Sequence, residues 1–242
     1  MKFDEIFRDK EWLNELLVWI VASLISGFVL ALDLKWPVLT FGWAEFGSMF
    51  LLSLLIFFVF IGTQKTVAYF LNCKTRSKLI SFRRFGFRSH DIFQFDFPAW
   101  LIWPFLLFFA TLGYVKWLVT TSFDIEPKLS HARKRFSELT EGDIARVTIA
   151  GPLAVIALGI ISRIIGFNSF ALLCLWFAFI ALIPIGYGYK LLMTSRLLWF
   201  FAFVFTLAML VLMQVTSTFV TIVVAVLFAA IALLAYYILY EK

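Results

Sequence analysis

The sequence predicts an all-α polytopic membrane protein with six transmembrane helices, a re-entrant or interfacial segment and a small cytosolic β-hairpin. Three observations support this fold class. The chain is 63% apolar and only 15% charged, whereas about a quarter of a soluble domain is charged. Several apolar stretches have roughly the 20 residues that a helix needs to cross a hydrocarbon core. The basic residues cluster beside those stretches, as the positive-inside rule predicts.

Each predicted span is an apolar run that ends at charged residues, prolines or a polar turn. The spans are approximately residues 16–32, 46–71, 145–165, 170–185, 197–213 and 219–240. Residues 1–15 carry both signs of charge and contain no apolar stretch followed by a cleavage signal. They are predicted to be a cytosolic N-terminal segment, and residues 16–242 a single membrane domain.

Orientation follows from the basic loop at residues 72–91, which holds Lys74, Arg76, Lys78, Arg83, Arg84 and Arg88. Loops rich in Lys and Arg stay in the cytosol, so a multi-pass protein of the cell membrane with both termini in the cytosol is expected. Lys65 lies inside the second span near its cytosolic end. Its long side chain can carry the ammonium to the membrane surface, which is favoured over a functional buried charge.

Three segments between the second and third spans differ from an ordinary helix. Phenylalanine alternates with polar residues through residues 85–97, and this period of two predicts a hairpin that turns near residues 89–91. Residues 98–117 are apolar, but a full crossing would place the next basic loop outside. We therefore predict a re-entrant or interfacial segment with both ends in the cytosol, covered by other helices. Residues 119–145 predict a short helix and a loop.

Charge and composition exclude several functions. The net charge of +6 is explained by topology, so membrane lipids are expected as partners and nucleic acid is not. Two cysteines, Cys73 and Cys174, do not make a disulfide framework. The chain has only two histidines, His90 and His131. A metal site formed by them with Asp91 is less favoured than a turn residue and a helix-surface residue.

Three segments, in this order, resemble parts of the site-2 protease family, in particular its short six-span members. The end of the second span through Asn72-Cys73, with the basic strand-rich loop after it, resembles the region that follows the metal-binding helix. Residues 149–154, Ile-Ala-Gly-Pro-Leu-Ala, resemble the alanine-glycine-proline helix start. Residues 181–190 resemble the Asn-Leu-Leu-Pro-Ile-Pro-Pro-Leu-Asp-Gly-x-Lys segment with about two residues deleted. The resemblance covers roughly residues 46–196.

The residues that would carry the family's chemistry are replaced. A zinc hydrolase of this kind needs two histidines one turn apart, a third ligand and a carboxylate base. The best register puts Phe60 and Gln64 at the histidine positions, Ile61 at the glutamate and Tyr187 at the aspartate ligand. Phe and Ile offer no lone pair, and Gln and neutral Tyr are poor zinc ligands. We therefore expect no catalytic residues, no metal and no cofactor.

The resemblance then implies a scaffold that binds a transmembrane helix of a client protein without cutting it, or that serves as a subunit or assembly factor of a membrane complex. The expected groove-lining residues are Gln64, Lys65, Ala150, Gly151, Pro152, Pro184, Tyr187 and Tyr189. Two alternatives stay open. One is an active intramembrane metalloprotease with unrecognised catalytic groups. The other is a small transporter or channel component, although the chain lacks paired intramembrane acids and an evident repeat.

Overall fold

The computed structural model describes residues 3–35, 38–84, 92–127, 140–185 and 187–228, and they are mostly helical. The helices are α1 (Phe3–Ala31), α2 (Trp43–Phe70), α3 (Ala99–Ala110), α4 (Glu141–Ile165), α5 (Asn168–Leu182), α6 (Tyr187–Thr194), α7 (Arg196–Val215) and α8 (Thr218–Phe228). The strands are β1 (Leu32–Lys35), β2 (Val38–Phe41), β3 (Cys73–Leu79), β4 (Phe82–Arg84), β5 (Ile92–Phe97) and β6 (Thr121–Pro127). They pair as three two-stranded antiparallel sheets, β1–β2, β3–β6 and β4–β5.

Four helices within the described residues are long and apolar enough to cross a membrane: Leu13–Ala31 of α1, α2, α4 and α7. A fifth crossing results if α5 and α6, which meet at an angle of 59°, count as one broken span. The predicted span at residues 219–240 is described only as far as Phe228, where α8 covers its first part. The helical membrane-protein class is therefore supported, and the count of six spans stays a prediction.

Two ion pairs mark the ends of the apolar bundle. Lys65 of α2 pairs with Glu15 of α1 at one end, and Lys116 pairs with Asp33 at the other, with 3.4 Å between nitrogen and oxygen. The helix from Glu15 to Ala31 is about 24 Å long at 1.5 Å per residue, close to the thickness of a hydrocarbon core. We call the two ends the Lys65 end and the Asp33 end. Charged groups belong at such boundaries because their burial in lipid is unfavourable.

The strands correct part of the sequence interpretation. The connection between α1 and α2 is the β1–β2 hairpin. The predicted hairpin at residues 85–97 is confirmed in part. Residues 92–97 form a strand, but its described partner is Phe82–Arg84, before the predicted start, with Phe82 opposite Phe97 and Arg84 opposite Ile92. Its predicted turn, with His90 and Asp91, lies outside the described residues, as does His131.

The prediction of a short helix and loop at residues 119–145 is wrong at its start, because residues 121–127 form β6 and pair with β3 across the sequence. One face of β3 is polar but uncharged and buried, with Thr75 and Ser77, while Lys74 and Lys78 point outward. The inward positions hold Thr and Ser instead of large apolar residues. The alternation typical of a strand was therefore weak in the sequence, and the basic residues indicated only a loop.

The chain leaves this sheet after Leu79 and returns to it at Thr121, and these two residues lie opposite each other. The backbone N–H of Trp100 donates to the Ile80 carbonyl at the start of α3. The chain then returns in an extended form, and the Val119 N–H donates to the Ser26 hydroxyl on α1 at 3.0 Å. The segment thus goes out as a helix and comes back extended along α1. The bounds of the predicted re-entrant segment, residues 98–117, differ from this path, because Lys116 still lies beside Asp33 at the Asp33 end. That both ends of this segment lie in the cytosol stays a prediction.

Candidate functional site at the junction of α2, α4 and α6

Five aromatic side chains meet where α2, α5, α6 and β6 come together, and each is at most 2% exposed. We call Phe57, Phe60, Phe123, Phe177 and Tyr187 the aromatic cluster. The ring centroid of Phe60 lies 5.0 Å from that of Tyr187 and 5.2 Å from that of Phe177. Tyr187 also lies 5.0 Å from Phe123, and Phe57 lies 5.0 Å from Phe177. Such tilted and edge-on contacts stabilise the packing beyond simple burial.

Tyr187 binds a carbonyl that a proline leaves without its usual partner. In an α-helix the Thr148 carbonyl would accept the N–H of residue 152, but Pro152 has no N–H to donate. The Tyr187 hydroxyl donates to that carbonyl instead, at 2.6 Å, in a fully buried position. This hydrogen bond joins α6, the helix that follows Pro184, to the Ala-Gly-Pro segment of α4. It is possible because Pro152 leaves the Thr148 carbonyl free to accept it.

Gln64 lies beside the cluster, one turn after Phe60 on α2, and is 2% exposed. A Cβ atom added to Gly151 of α4 would lie 2.9 Å from the Gln64 amide nitrogen and 2.9 Å from a ring carbon of Phe60. Only glycine allows α4 to approach α2 this closely. The Gln64 amide nitrogen has no hydrogen-bond partner among the described residues.

The structure brings some of the predicted site residues together and separates others. Gln64, Gly151, Pro152 and Tyr187 are buried at this junction, and Ile61 is buried at 1% exposure beside them. The other residues predicted to line a groove are not buried with this group. Lys65 lies on the α1 side, where it pairs with Glu15 and its ammonium stands 5.6 Å from the Trp19 ring centroid. Ala150 is partly exposed, and Pro184 and Tyr189 are exposed.

The short helix α6 is held against β6, and the end of α5 just before it is held against α7. The Lys190 ammonium donates to the Phe123 carbonyl of β6 and lies 4.5 Å from that ring's centroid, a favourable placement for a cation over an aromatic face. The Trp199 indole N–H donates to the Leu182 carbonyl at 2.7 Å, at the end of α5. Because Lys190 lies one turn after Tyr187, its contact fixes Tyr187 next to Phe123 of β6.

The outward face of the β3–β6 sheet carries charge at the Lys65 end. Lys78 pairs with Asp124, and Arg76 lies 3.4 Å from Glu126. The hydrogen bond from Lys78, with the positive charges of Lys78, Lys190 and Arg76, lowers the pKa of the Asp124 carboxyl. Burial, with the nearby charge of Asp143, raises the pKa of the Cys73 thiol. Cys73 is therefore protonated at neutral pH and is no nucleophile.

No group of three or more His, Cys, Asp or Glu side chains that could hold a metal ion occurs among the residues that the structure describes. Sequence reasoning missed three residues that matter here: Glu15, Phe123 and Thr148. Glu15 and Phe123 are 50 and 64 residues away from their partners Lys65 and Tyr187. Thr148 contributes only a backbone carbonyl. The one available signal was Pro152, because a proline within a helix leaves the carbonyl four residues earlier without its donor.

Comparison with protein-family models, curated proteins and solved structures found no match for this chain.

Proposed function

We propose that this chain is a non-catalytic membrane protein with a site-2-protease-like scaffold, which binds a transmembrane helix of a client protein or of a membrane complex. The observation that carries the proposal is the ring contact between Phe60 and Tyr187. These positions correspond, in the resemblance, to ligands from two separate segments of a zinc site. A metal held between two segments requires them to be adjacent, and at 5.0 Å they are.

The chemistry of the side chains at this junction favours binding over hydrolysis. Phe60 and Ile61 have no atom that can bind zinc or activate water, and the Tyr187 hydroxyl already donates to Thr148. The cluster forms an apolar, aromatic interior with a single amide at its side. Such an interior suits a helix with apolar side chains better than a water-dependent reaction.

The Lys65 end is placed in the cytosol in this proposal. Lys74, Arg76 and Lys78 lie on β3 directly after α2 at that end, and basic residues next to a span favour the cytosolic side. The apolar side chains exposed on α2, such as Leu51 at 64% and Phe58 at 60%, would then face lipid.

Metal analysis of the purified protein tests the non-catalytic part. The chain and a Gln64→Ala variant, purified side by side without chelator, are both expected to contain far less than one zinc ion per molecule. One zinc per chain that disappears in Gln64→Ala would contradict the proposal and favour an active metalloprotease. Cleavage of a membrane substrate that a chelator blocks would do the same.

A further inference from the structure

The Gln64 amide is an unsatisfied donor inside a packed interior. Its nitrogen is buried, has no acceptor among the described residues, and faces the backbone of Gly151 and the ring of Phe60. A buried donor without an acceptor destabilises the folded protein, because the group loses its hydrogen bonds to water and gains none. The closed packing around Gln64 is therefore less stable than it would be with an acceptor present.

Gln64 also lies at a defined depth. It directly precedes Lys65, whose ammonium pairs with Glu15 at the boundary of the apolar bundle. Gln64 is only 2% exposed, so a ligand that reaches it must move α2 and α4 apart at Gly151. The ligand must offer an acceptor at the edge of the hydrocarbon region and an apolar body beside Phe60.

The end of a transmembrane helix has both properties. The last four carbonyl groups of an α-helix have no intrahelical donor, whereas its first turn presents N–H groups instead. The unpartnered atom of Gln64 is a donor, so its complement is a carbonyl oxygen. We infer that the Gln64 amide binds a backbone carbonyl in the last turn of a transmembrane helix whose C-terminal end lies at the Lys65 end, a step that rests on the function proposed above.

Two properties of Gln64→Leu should change in opposite directions. Leucine fills a similar volume and removes the unsatisfied donor, so the thermal midpoint of the free protein should rise. The same change removes the hydrogen bond to the ligand. Interhelical hydrogen bonds in membranes contribute about 1 kcal/mol, which corresponds to a roughly fivefold loss of affinity. A residue with a purely structural role would not raise stability and lower affinity together.

The test uses a fluorescent Leu- and Ala-rich transmembrane peptide as the probe, reconstituted with the full chain in lipid nanodiscs. Energy transfer reports binding for the parent, for Gln64→Leu and for Thr63→Val, a control whose hydroxyl donates to Val59 on its own helix at 2.7 Å. We expect binding about fivefold weaker for Gln64→Leu and unchanged for Thr63→Val, with a raised thermal midpoint for Gln64→Leu.

Each other outcome is decisive. Equal binding by the parent and Gln64→Leu would leave the proposed function intact and overturn the role of Gln64, whose acceptor would then be sought among lipid ester carbonyls. A lowered thermal midpoint for Gln64→Leu would show that the amide already stabilises the free protein and would overturn the inference. Absence of peptide binding by the parent would overturn both the inference and the helix-binding function.

Discussion

Gly151 sets how closely α4 can approach α2. Its missing side chain leaves room for the Gln64 amide and the Phe60 ring, each of which would lie 2.9 Å from a Cβ atom at this position. A methyl group there must push one of them aside. Gly62, on the same helix as Gln64, has no atom within 4 Å of the corresponding Cβ position, so the two glycines form a matched pair.

Gly151→Ala is expected to lower the free energy of unfolding by about 1–3 kcal/mol, the usual effect of an added carbon in a packed interior. Gly62→Ala should be neutral or stabilise the chain by up to about 1 kcal/mol, since alanine favours the helix. Both can be measured by denaturant unfolding in mixed micelles. Equal effects of the two substitutions would mean that α2 and α4 do not meet at Gly151.

Arg163 lies in the last turn of α4, at the end of the bundle opposite the Lys65 end. Its guanidinium donates to the carbonyls of Met213 and Thr216, at 2.7 and 2.8 Å, where α7 ends. These carbonyls belong to the last turn of a helix, which lacks intrahelical donors and carries the negative end of the helix dipole.

Arg163→Leu should therefore destabilise the chain by about 2–3 kcal/mol, because bonds from a charged donor are stronger than neutral ones. The control is Arg146→Leu at the other end of α4, where Arg146 pairs with Asp143 in an exposed position and less than about 1 kcal/mol is expected. The denaturant midpoints of unfolding of the two variants test whether Arg163→Leu loses more stability than Arg146→Leu. A midpoint for Arg163→Leu no lower than that of Arg146→Leu would contradict the assigned contact.

At the scale of the elements, the hydrogen bond from Tyr187 to the Thr148 carbonyl joins α6 to α4. The Thr148 carbonyl depends on the Tyr187 hydroxyl only because Pro152 occupies the position that would otherwise donate to it. Restoring an N–H at residue 152 should make the tyrosine hydroxyl dispensable.

Tyr187→Phe is expected to cost about 1–3 kcal/mol, the usual effect of leaving a buried acceptor unpaired. In a Pro152→Ala background the same change should cost less, because the alanine N–H can bond to Thr148. Tyr189→Phe, at a 51% exposed position on the same helix, serves as the control. A double-mutant cycle measures the coupling; a coupling near zero would show that the two residues act independently.

The sequence predicts the apolar helices well because each is a long run of one composition. Residues 145–165 were expected to span and α4 covers Glu141–Ile165; residues 46–71 were expected and α2 covers Trp43–Phe70. The β3–β6 sheet escaped prediction because its buried face holds Thr and Ser and its partner strand is distant in sequence. The same distance hid the pairing of Lys65 with Glu15 and the contact of Phe123 with Tyr187.

For the whole molecule, the segments that carry the family resemblance meet in one place. Phe60 and Gln64 at the end of α2, Gly151 in α4 and Tyr187 in α6 form one buried junction at the Lys65 end. The resemblance implied that these segments face each other, but it did not imply that aromatic packing would fill the space between them. A helix bound as proposed must therefore separate Tyr187 from Phe60 or dock beside them on the exposed face of α6, where Tyr189 lies.

The most direct test of the central claim is photocrosslinking in native membranes from a benzoylphenylalanine residue at position 189, with position 114 as the control. Tyr189 and Tyr114 are both exposed, at 51% and 90%, but Tyr114 follows α3 near Gly113, which contacts Leu34 at the Asp33 end. Position 189 is expected to crosslink to the end of a transmembrane helix of another protein, and position 114 is not. Crosslinks from position 189 to lipid alone, or the same protein partner from both positions, would contradict helix binding at this junction.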